Sequence, residues 1–123
     1  MANPYDKWLG KEDVLQHKII KYLEFNYPKS IWTHVGNEGR RTKFERFKIK
    51  YLGVKAGVPD VLIFTPNKKY NGLAIELKIG YNKPTDTQKK WLSDLKKCNW
   101  FCCVQKDFDS AVNLINQYFK NDL

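Results

Sequence analysis

Apolar residues recur at helical spacing in four segments of the chain. In the first segment this periodicity predicts a helix from about Lys11 to Tyr27, which Pro28 ends. The apolar stripe of this helix consists of Val14, Leu15, Ile19, Tyr22, Leu23 and Phe25. The same reasoning predicts three further helices, at Thr42–Leu52, at Thr85–Lys97 and after a cap at Asp107 or Asp109.

Four shorter segments are rich in β-branched and aromatic residues and predict strands. They are Ser30–Val35, Pro59–Thr65, Leu73–Ile79 and Trp100–Gln105. Together the elements follow the order α-β-α-β-β-α-β-α, which predicts an α/β fold with a mixed β-sheet flanked by helices. The length of 123 residues predicts one domain that spans residues 1–123.

The chain is strongly basic. It has 22 Lys and Arg against 13 Asp and Glu, a formal charge of +9, which favours a polyanionic partner over a neutral one. A basic protein without such a partner is the plain alternative. No apolar run approaches the ~20 residues of a membrane span and no signal peptide is recognisable, so we expect no membrane association.

Three cysteines, Cys98, Cys102 and Cys103, lie in one short apolar segment. Neighbouring residues of a strand point to opposite faces, so Cys102 and Cys103 are poorly placed to share a metal ion. We expect all three to be small buried hydrophobic residues of a protein in a reducing, cytoplasmic environment.

The strongest candidate chemistry lies on two neighbouring predicted strands. On the second of them, Glu76 and Lys78 are two residues apart and therefore project from the same face, while the apolar residues around them project from the other. If the two strands form a hairpin, the midpoint of residues 60 and 76 lies within about one residue of the centre of the turn. Asp60 should then lie across from Glu76 or Lys78.

Two carboxylates so close repel each other, and a divalent cation removes the conflict. Hard oxygen ligands of this kind suit Mg²⁺ or Mn²⁺. The alternative is an ordinary cross-strand salt bridge, in which Lys78 pairs with Asp60 or Glu76. The glycines of residues 53–60 and the basic helix before them favour a ligand site, because glycine lets the backbone pass close to a ligand.

Four segments carry a longer pattern along the chain. They are Asn37-Glu38-Gly39, Gly53-Val-Lys-Ala-Gly-Val-Pro-Asp60, Ile75-Glu-Leu-Lys78 and Gln88-x-x-Trp91-Leu92. The Pro59-Asp60 pair followed by Glu76-Leu77-Lys78 resembles the PD-(D/E)XK nuclease superfamily. The whole set resembles the stand-alone virus-type replication-repair nuclease (VRR-NUC) domains of phages and bacteria, and it implies a restriction-endonuclease-like core.

The resemblance implies a metal-dependent endonuclease and assigns roles to individual residues. Asp60 and Glu76 would bind Mg²⁺ or Mn²⁺, with the backbone carbonyl of Leu77 as a further ligand. Lys78 would orient or deprotonate the attacking water and stabilise the charge that develops on the phosphate. Gln88 would lie near the metal, at the start of the following helix. The substrate would be DNA, either duplex or branched as in four-way (Holliday) junctions, and the enzyme would act as a homodimer.

Several residues have an equally simple structural interpretation. Glu12 matches an acid that many relatives place near the metal, but an acid also suits the first turn of a helix. Gln88 fits the capping box of its own helix and could serve both roles. Asn37 and Glu38 are expected beside the active face. For His34, which ends a predicted strand, a packed or surface position is the default.

Basic residues that flank the motif are candidates for holding nucleic acid. They are Arg40, Arg41, Lys43, Arg46, Lys55 and Lys83. For any single one of them a solvated helix face is the better explanation, but as a group they favour phosphate binding. Phosphate contacts fix position without carrying sequence information, so we expect recognition of nucleic-acid shape.

Two other functions stay open at this point. One is a nuclease that acts on flap or nicked DNA or on RNA, and the other is a non-catalytic nucleic-acid-binding module. The presence of Asp60, Glu76 and Lys78 together argues against the second. Aromatic residues such as Tyr5, Trp8 or Phe119 could serve an interface between subunits.

Overall fold

The computed structural model describes residues 3–35 and 42–123. Within these ranges four strands form one sheet: β1 (Trp32–His34), β2 (Val61–Ile63), β3 (Gly72–Leu77) and β4 (Trp100–Gln105). The α-helices are α1 (Lys11–Asn26), α2 (Lys43–Tyr51), α3 (Asp86–Lys97) and α4 (Phe108–Phe119), and a short 3-10 helix (Asp6–Trp8) precedes them. The predicted α/β class and order of elements are confirmed, and only the 3-10 helix was not expected.

The sheet is mixed, as predicted. β2 pairs antiparallel with both β1 and β3, whereas β3 and β4 are parallel. The parallel pair is joined through α3, because a tight turn cannot connect parallel strands. In the β2–β3 hairpin Val61 lies opposite Ile75 and Ile63 lies opposite Leu73. The next position outward in this register brings Asp60 opposite Glu76.

The core lies between one face of the sheet and the helices α1 and α4. Its buried residues include Val61, Ile63, Leu73, Ile75 and Leu77 from the strands, and Leu15, Ile19, Leu23, Ala111, Leu114, Ile115 and Tyr118 from the two helices. The hydroxyl of the buried Tyr118 has a partner in this core, because it donates to the carbonyl of Thr65 at 2.7 Å. The carboxamide of Asn116 accepts hydrogen bonds from the hydroxyls of Tyr22 and Tyr27, which ties α4 to α1.

The helices begin close to the predicted residues, because the side chains that cap them can be recognised in the sequence. Thr42 accepts the backbone N–H of Glu45 at 3.1 Å at the start of α2. Asp107, one of the two predicted caps of the last helix, accepts the N–H of Ser110 at 2.8 Å. These bonds satisfy backbone donors that have no partner within the helix.

Three expectations about burial are wrong. Val14 and Phe25 of the predicted α1 stripe are exposed, because only the narrower line of Leu15, Ile19 and Leu23 faces the sheet. Cys98 is exposed at the end of α3, while the other two cysteines are half-buried in β4. Phe119 is half-buried and its ring stacks on that of Tyr27, with 4.1 Å between centroids, so it is not a free interface residue.

In the part of the chain that the structure describes, no helix is long and apolar enough to cross a membrane.

Candidate active site

The adjoining ends of β2 and β3 bring the three predicted side chains together. Asp60 directly precedes β2, and its Oδ2 accepts a hydrogen bond from the backbone N–H of Leu77 at 2.7 Å. Glu76 and Lys78 project from the same face at the end of β3, with 3.8 Å between the Lys78 Nζ and the Glu76 Oε1. The bond from Leu77 thus holds the Asp60 carboxylate beside the strand that carries the other two groups.

Glu76 is buried in an electrostatically unfavourable position. Its relative exposure is 1%, and it is the only buried charged residue among those described. Burial, followed by the neighbouring carboxylate of Asp60, raises the pKa of Glu76 to about 8. The ammonium of Lys78 acts in the opposite direction without offsetting these effects, and Glu12 contributes a further small increase.

The simple salt-bridge interpretation does not account for this carboxylate. An ion pair is present, but it joins Lys78 to Glu76 along one strand and is too long for a good hydrogen bond. The second oxygen of Glu76, Oε2, is buried, and in the described part of the chain no donor group reaches it. The neighbouring Asp60 side chain can share a proton with Glu76, but when both groups are ionised it only accepts. A buried acceptor without a partner is costly, so this oxygen fits a site whose ligand completes it.

The carboxylate pair fits a small divalent cation that takes few protein ligands. Among residues 3–35 and 42–123, no three His, Cys, Asp or Glu side chains converge as a metal site of their own. Mg²⁺ commonly binds to proteins through one or two carboxylates, and takes its other oxygens from water and substrate phosphates. Asp60 and Glu76 provide such a pair. The carbonyl of Leu77 as a ligand stays a prediction.

His34 lies closer to the site than its sequence position indicated. Its Nδ1 is 2.9 Å from the backbone carbonyl oxygen of Asp60, which also accepts the N–H of Val35 at 3.1 Å. A carbonyl can only accept, so the Nδ1 of His34 carries the proton in this contact. The imidazole of His34 is exposed, as the surface position expected for it allows, and it bonds to the backbone just before β2. The pairing of β1 with β2 creates this contact, and nothing in the local sequence of either strand signals it.

Gln88 has the capping role that its spacing predicted. Its Oε1 accepts the backbone N–H of Thr85 at 2.8 Å, while the hydroxyl of Thr85 accepts the N–H of Gln88 at 3.3 Å. These two bonds form a complete capping box at the start of α3. The further role of Gln88 near a metal stays a prediction.

The glycine-rich segment before Asp60 rests on α3. The indole N–H of Trp91 donates to the carbonyl of Ala56 at 3.0 Å. Gly57 has a φ of +84°, and a Cβ at this position would lie 2.7 Å from the Cγ2 of Thr87. Only glycine fits both this conformation and this close approach. The segment that leads into Asp60 is thereby fixed to the helix that carries Gln88.

The remaining predicted residues surround the site less closely or are not described. Glu12 lies half-buried in the first turn of α1, near enough to act on the pKa of Glu76. The basic residues Lys43, Arg46, Lys55 and Lys83 are exposed, as nucleic-acid contacts require. Asn37, Glu38, Arg40 and Arg41 lie outside the residues that the structure describes.

An acid, a second acid and a lysine at the ends of adjacent strands in a mixed sheet define a nuclease domain of the PD-(D/E)XK type. The model of one such family, the VRR-NUC domain, matches residues 3–106. A solved structure described as a VRR_NUC domain protein is 30% identical in sequence, with a TM-score of 0.76 over 91% of this chain and 90% of that one. No curated protein matches the chain significantly. The chain belongs to the VRR-NUC family, whose nuclease function implies that it binds nucleic acid.

Proposed function

We propose that this chain is a Mg²⁺- or Mn²⁺-dependent endonuclease that hydrolyses DNA phosphodiester bonds. The observation that carries the proposal is Glu76. Its carboxylate is buried beside Asp60 and Lys78, and one oxygen lacks a partner within the described residues. A purely structural residue at this position would be apolar or fully hydrogen-bonded, since a buried acceptor without a hydrogen bond lowers stability.

Each residue has a defined task in this proposal. Asp60 and Glu76 hold the cation, with the Leu77 carbonyl as a further oxygen ligand. When bound, the cation polarises the scissile phosphate and lowers the pKa of a water molecule. Lys78 would orient the attacking water as an ammonium or, as a neutral amine, take a proton from it. In the ammonium form it stabilises negative charge that develops on the phosphate oxygens. Glu12 and Gln88 flank the metal.

The proposed substrate is branched DNA, such as a four-way junction, cut by a homodimer. The charge of +9 and the exposed Lys43, Arg46, Lys55 and Lys83 support phosphate contacts, while no motif for reading base edges is recognisable. Recognition of shape would follow from such contacts. Flap DNA, nicked DNA and RNA are the alternative substrates. A cytoplasmic location, expected from three unpaired cysteines, stays a prediction.

Substitution of the lysine tests the mechanism. Lys78→Ala should lower the rate of cleavage of supercoiled plasmid and of a four-way junction by about 10²–10³-fold or more, because a preorganised charge is lost. DNA binding, measured in EDTA by fluorescence anisotropy, should be nearly unchanged. Lys120→Ala removes an exposed lysine beyond the end of α4 and is the matched control, with wild-type cleavage expected.

The outcomes separate the alternatives. Undiminished turnover in the Lys78→Ala variant would refute the role of the lysine. Binding without cleavage of any substrate by the wild-type chain, in both Mg²⁺ and Mn²⁺, would replace the nuclease by a binding module. Faster cleavage of flap, nicked DNA or RNA than of the four-way junction would retain the chemistry and change the substrate.

A further inference from the structure

A pocket of about 590 Å³ lies between helix α3 and the glycine-rich segment that leads into Asp60. The apolar part of its lining comes from Ala56, Trp91 and Leu95. This volume lies within the range of about 300–1,000 Å³ that is usual for sites that hold small organic groups. The residues that hold the metal and the attacking water in the proposed reaction do not line the pocket. The pocket therefore needs an explanation of its own.

The indole of Trp91 is fixed in the wall of this pocket. Its N–H donates to the carbonyl of Ala56 at 3.0 Å, so the one polar atom of the ring is already paired. The side chain is half-buried, and among the described residues no other aromatic ring packs on it. What the indole offers to a ligand is its flat apolar surface, which suits another flat ring.

The charges of the pocket favour an anionic ligand. Asp94 is the one acid in its lining, and it is paired with Lys90 at 2.7 Å and with Lys97 at 3.9 Å. Lys55 also lines the pocket, is exposed, and has no ion-pair partner among the described residues. A planar ring joined to an anionic group fits both the flat apolar wall and the unpaired ammonium.

The pocket lies close enough to the proposed active site to hold part of the same substrate. Ala56 precedes Asp60 by four residues, and four residues of extended chain span at most about 14 Å. Along one strand of DNA, at about 3.4 Å per nucleotide, this distance corresponds to about four nucleotides. The nuclease function of the VRR-NUC family implies a nucleic-acid partner, and each nucleotide joins a planar base to a phosphate.

We propose that this pocket holds one unpaired base of the DNA substrate, stacked on Trp91, while Lys55 contacts a phosphate beside that base. The base lies within about four nucleotides of the bond that is cut. Every base has a π-face, so stacking selects a base that is unpaired and not a particular base. This proposal rests on the proposed nuclease and names the feature of branched DNA that it recognises, a base without a pairing partner at the branch.

A purely structural role is the alternative for Trp91, because its bond to Ala56 also fixes the glycine-rich segment to α3. Two variants separate the roles. Trp91→Phe and Trp91→Leu both remove the N–H donor, but only Trp91→Phe retains an aromatic ring. A structural role predicts the same loss of DNA binding in both variants, whereas stacking predicts that Trp91→Phe retains the preference for an unpaired base.

Three DNA duplexes that differ at one position test the pocket. One is fully paired, one carries an extra unpaired adenine, and one carries an abasic nucleotide in place of that adenine. The wild-type chain should bind the adenine duplex at least about fivefold more tightly than the abasic duplex, because only the adenine can stack. Fluorescence anisotropy of the full-length chain in EDTA measures the dissociation constants.

The variants are measured on the same duplexes. Trp91→Phe should retain the preference for adenine and Trp91→Leu should lose it, with the helix content of both unchanged by circular dichroism. Lys55→Ala should weaken binding of the adenine duplex, because a phosphate contact is lost. Lys120→Ala, which removes an exposed lysine beyond α4, is the matched control and should bind as the wild type does.

Cys98 provides an independent probe, because it lines the same pocket and is exposed. Burial raises the pKa of the Cys102 and Cys103 thiols to about 11 and about 12, so near neutral pH Cys98 should react first with N-ethylmaleimide. At saturating DNA, the adenine duplex should slow this reaction at least about fivefold relative to the abasic duplex. Mass spectrometry of the digested protein locates and measures the modification.

The outcomes separate the pocket from the catalytic proposal. Equal affinity of the wild-type chain for the adenine and abasic duplexes would overturn the pocket. So would equal losses in Trp91→Phe and Trp91→Leu, equal binding by Lys55→Ala and Lys120→Ala, or equal modification of Cys98 in the two saturated complexes. A chain that prefers the adenine duplex but cuts no nucleic acid would refute the proposed function and keep the pocket. Cleavage of plasmid and junction DNA without this preference would do the reverse.

Discussion

Strand β3 and helix α2 both carry apolar residues at regular spacing, but only those of β3 are buried. Every residue of β3 is buried, Glu76 among them, whereas no residue of α2 is. Both segments place residues on regular faces, but periodicity alone does not tell which face the rest of the protein covers. In β3 every residue is covered, and this burial raises the pKa of the Glu76 carboxyl by removing it from water. In α2 no residue is buried by the described part of the chain, so its apolar face stays open to solvent.

The largest expected effect comes from removing the charge that β3 buries. Glu76→Gln keeps the shape of the side chain and removes a proposed metal ligand, so cleavage of plasmid and junction DNA should fall below detection in Mg²⁺ and in Mn²⁺. Glu24→Gln changes an exposed acid on α1 and should cleave as the wild type does. Retained cleavage in Glu76→Gln would show that β3 buries this carboxylate for a reason other than catalysis.

The same variant should remove the pH dependence of stability that the buried Glu76 carboxyl imposes. In the folded chain the pKa of Glu76 is raised from the ordinary 4.5 to about 8, so folding favours the protonated form. The stabilising contribution is fully present below pH 4.5 and is lost as the pH rises through about 8. In EDTA, Glu76→Gln should therefore melt at a higher temperature than the wild type at pH 8, with a smaller difference at pH 5. An equal difference at both pH values would contradict the raised pKa.

Two truncations, one in β3 and one in α2, measure how strongly each segment is packed against the rest of the protein. Ile75→Ala on β3 removes a fully buried side chain and should lower the free energy of unfolding by about 2–5 kcal/mol. Phe47→Ala on α2 removes a larger side chain that is 63% exposed, and in dilute protein it should change this free energy by only about 0.5 kcal/mol. Urea unfolding of both variants, followed by circular dichroism, gives the two values. Similar losses would mean that α2 is packed within its own chain.

Features fixed by neighbouring residues could be predicted from the sequence. The caps at Thr42, Thr85 and Asp107 bond to groups three residues away, so their residue types and spacing are sufficient. The approach of Asp60 to Glu76 needed one further assumption, a hairpin, which the length of the turn between two strands supports. For this reason the three central residues of the site could be named in advance.

Features that depend on the pairing of strands far apart in the sequence could not be predicted. The contact between His34 and Asp60 joins residues 26 positions apart and exists only because β1 lies beside β2. The exposure of Phe44, Phe47 and Tyr51 on α2 could not be predicted. The sequence shows that this helix has an apolar face, but it does not show whether another part of the protein packs against that face. The unpartnered oxygen of Glu76 likewise depends on the packing of the whole sheet.

The last comparison concerns the segment that connects α2 to Asp60. Gly53 follows α2 and Gly57 precedes Asp60, and both have positive φ, +87° and +84°. A Cβ at Gly53 would meet no atom within 4 Å, whereas at Gly57 it would lie 2.9 Å from the backbone carbon of Thr87. Gly53→Ala therefore carries only conformational strain, and it should lower the free energy of unfolding by about 1 kcal/mol.

Gly57→Ala carries the same strain and also forces the segment away from α3, so its loss should reach about 1–3 kcal/mol. It should also slow cleavage more than Gly53→Ala does, because Asp60 follows three residues later. Urea unfolding and plasmid cleavage of the two variants, measured side by side, make the comparison. If both behave alike, the contact with Thr87 does not position Asp60, and the buried site is independent of the segment that joins it to α2.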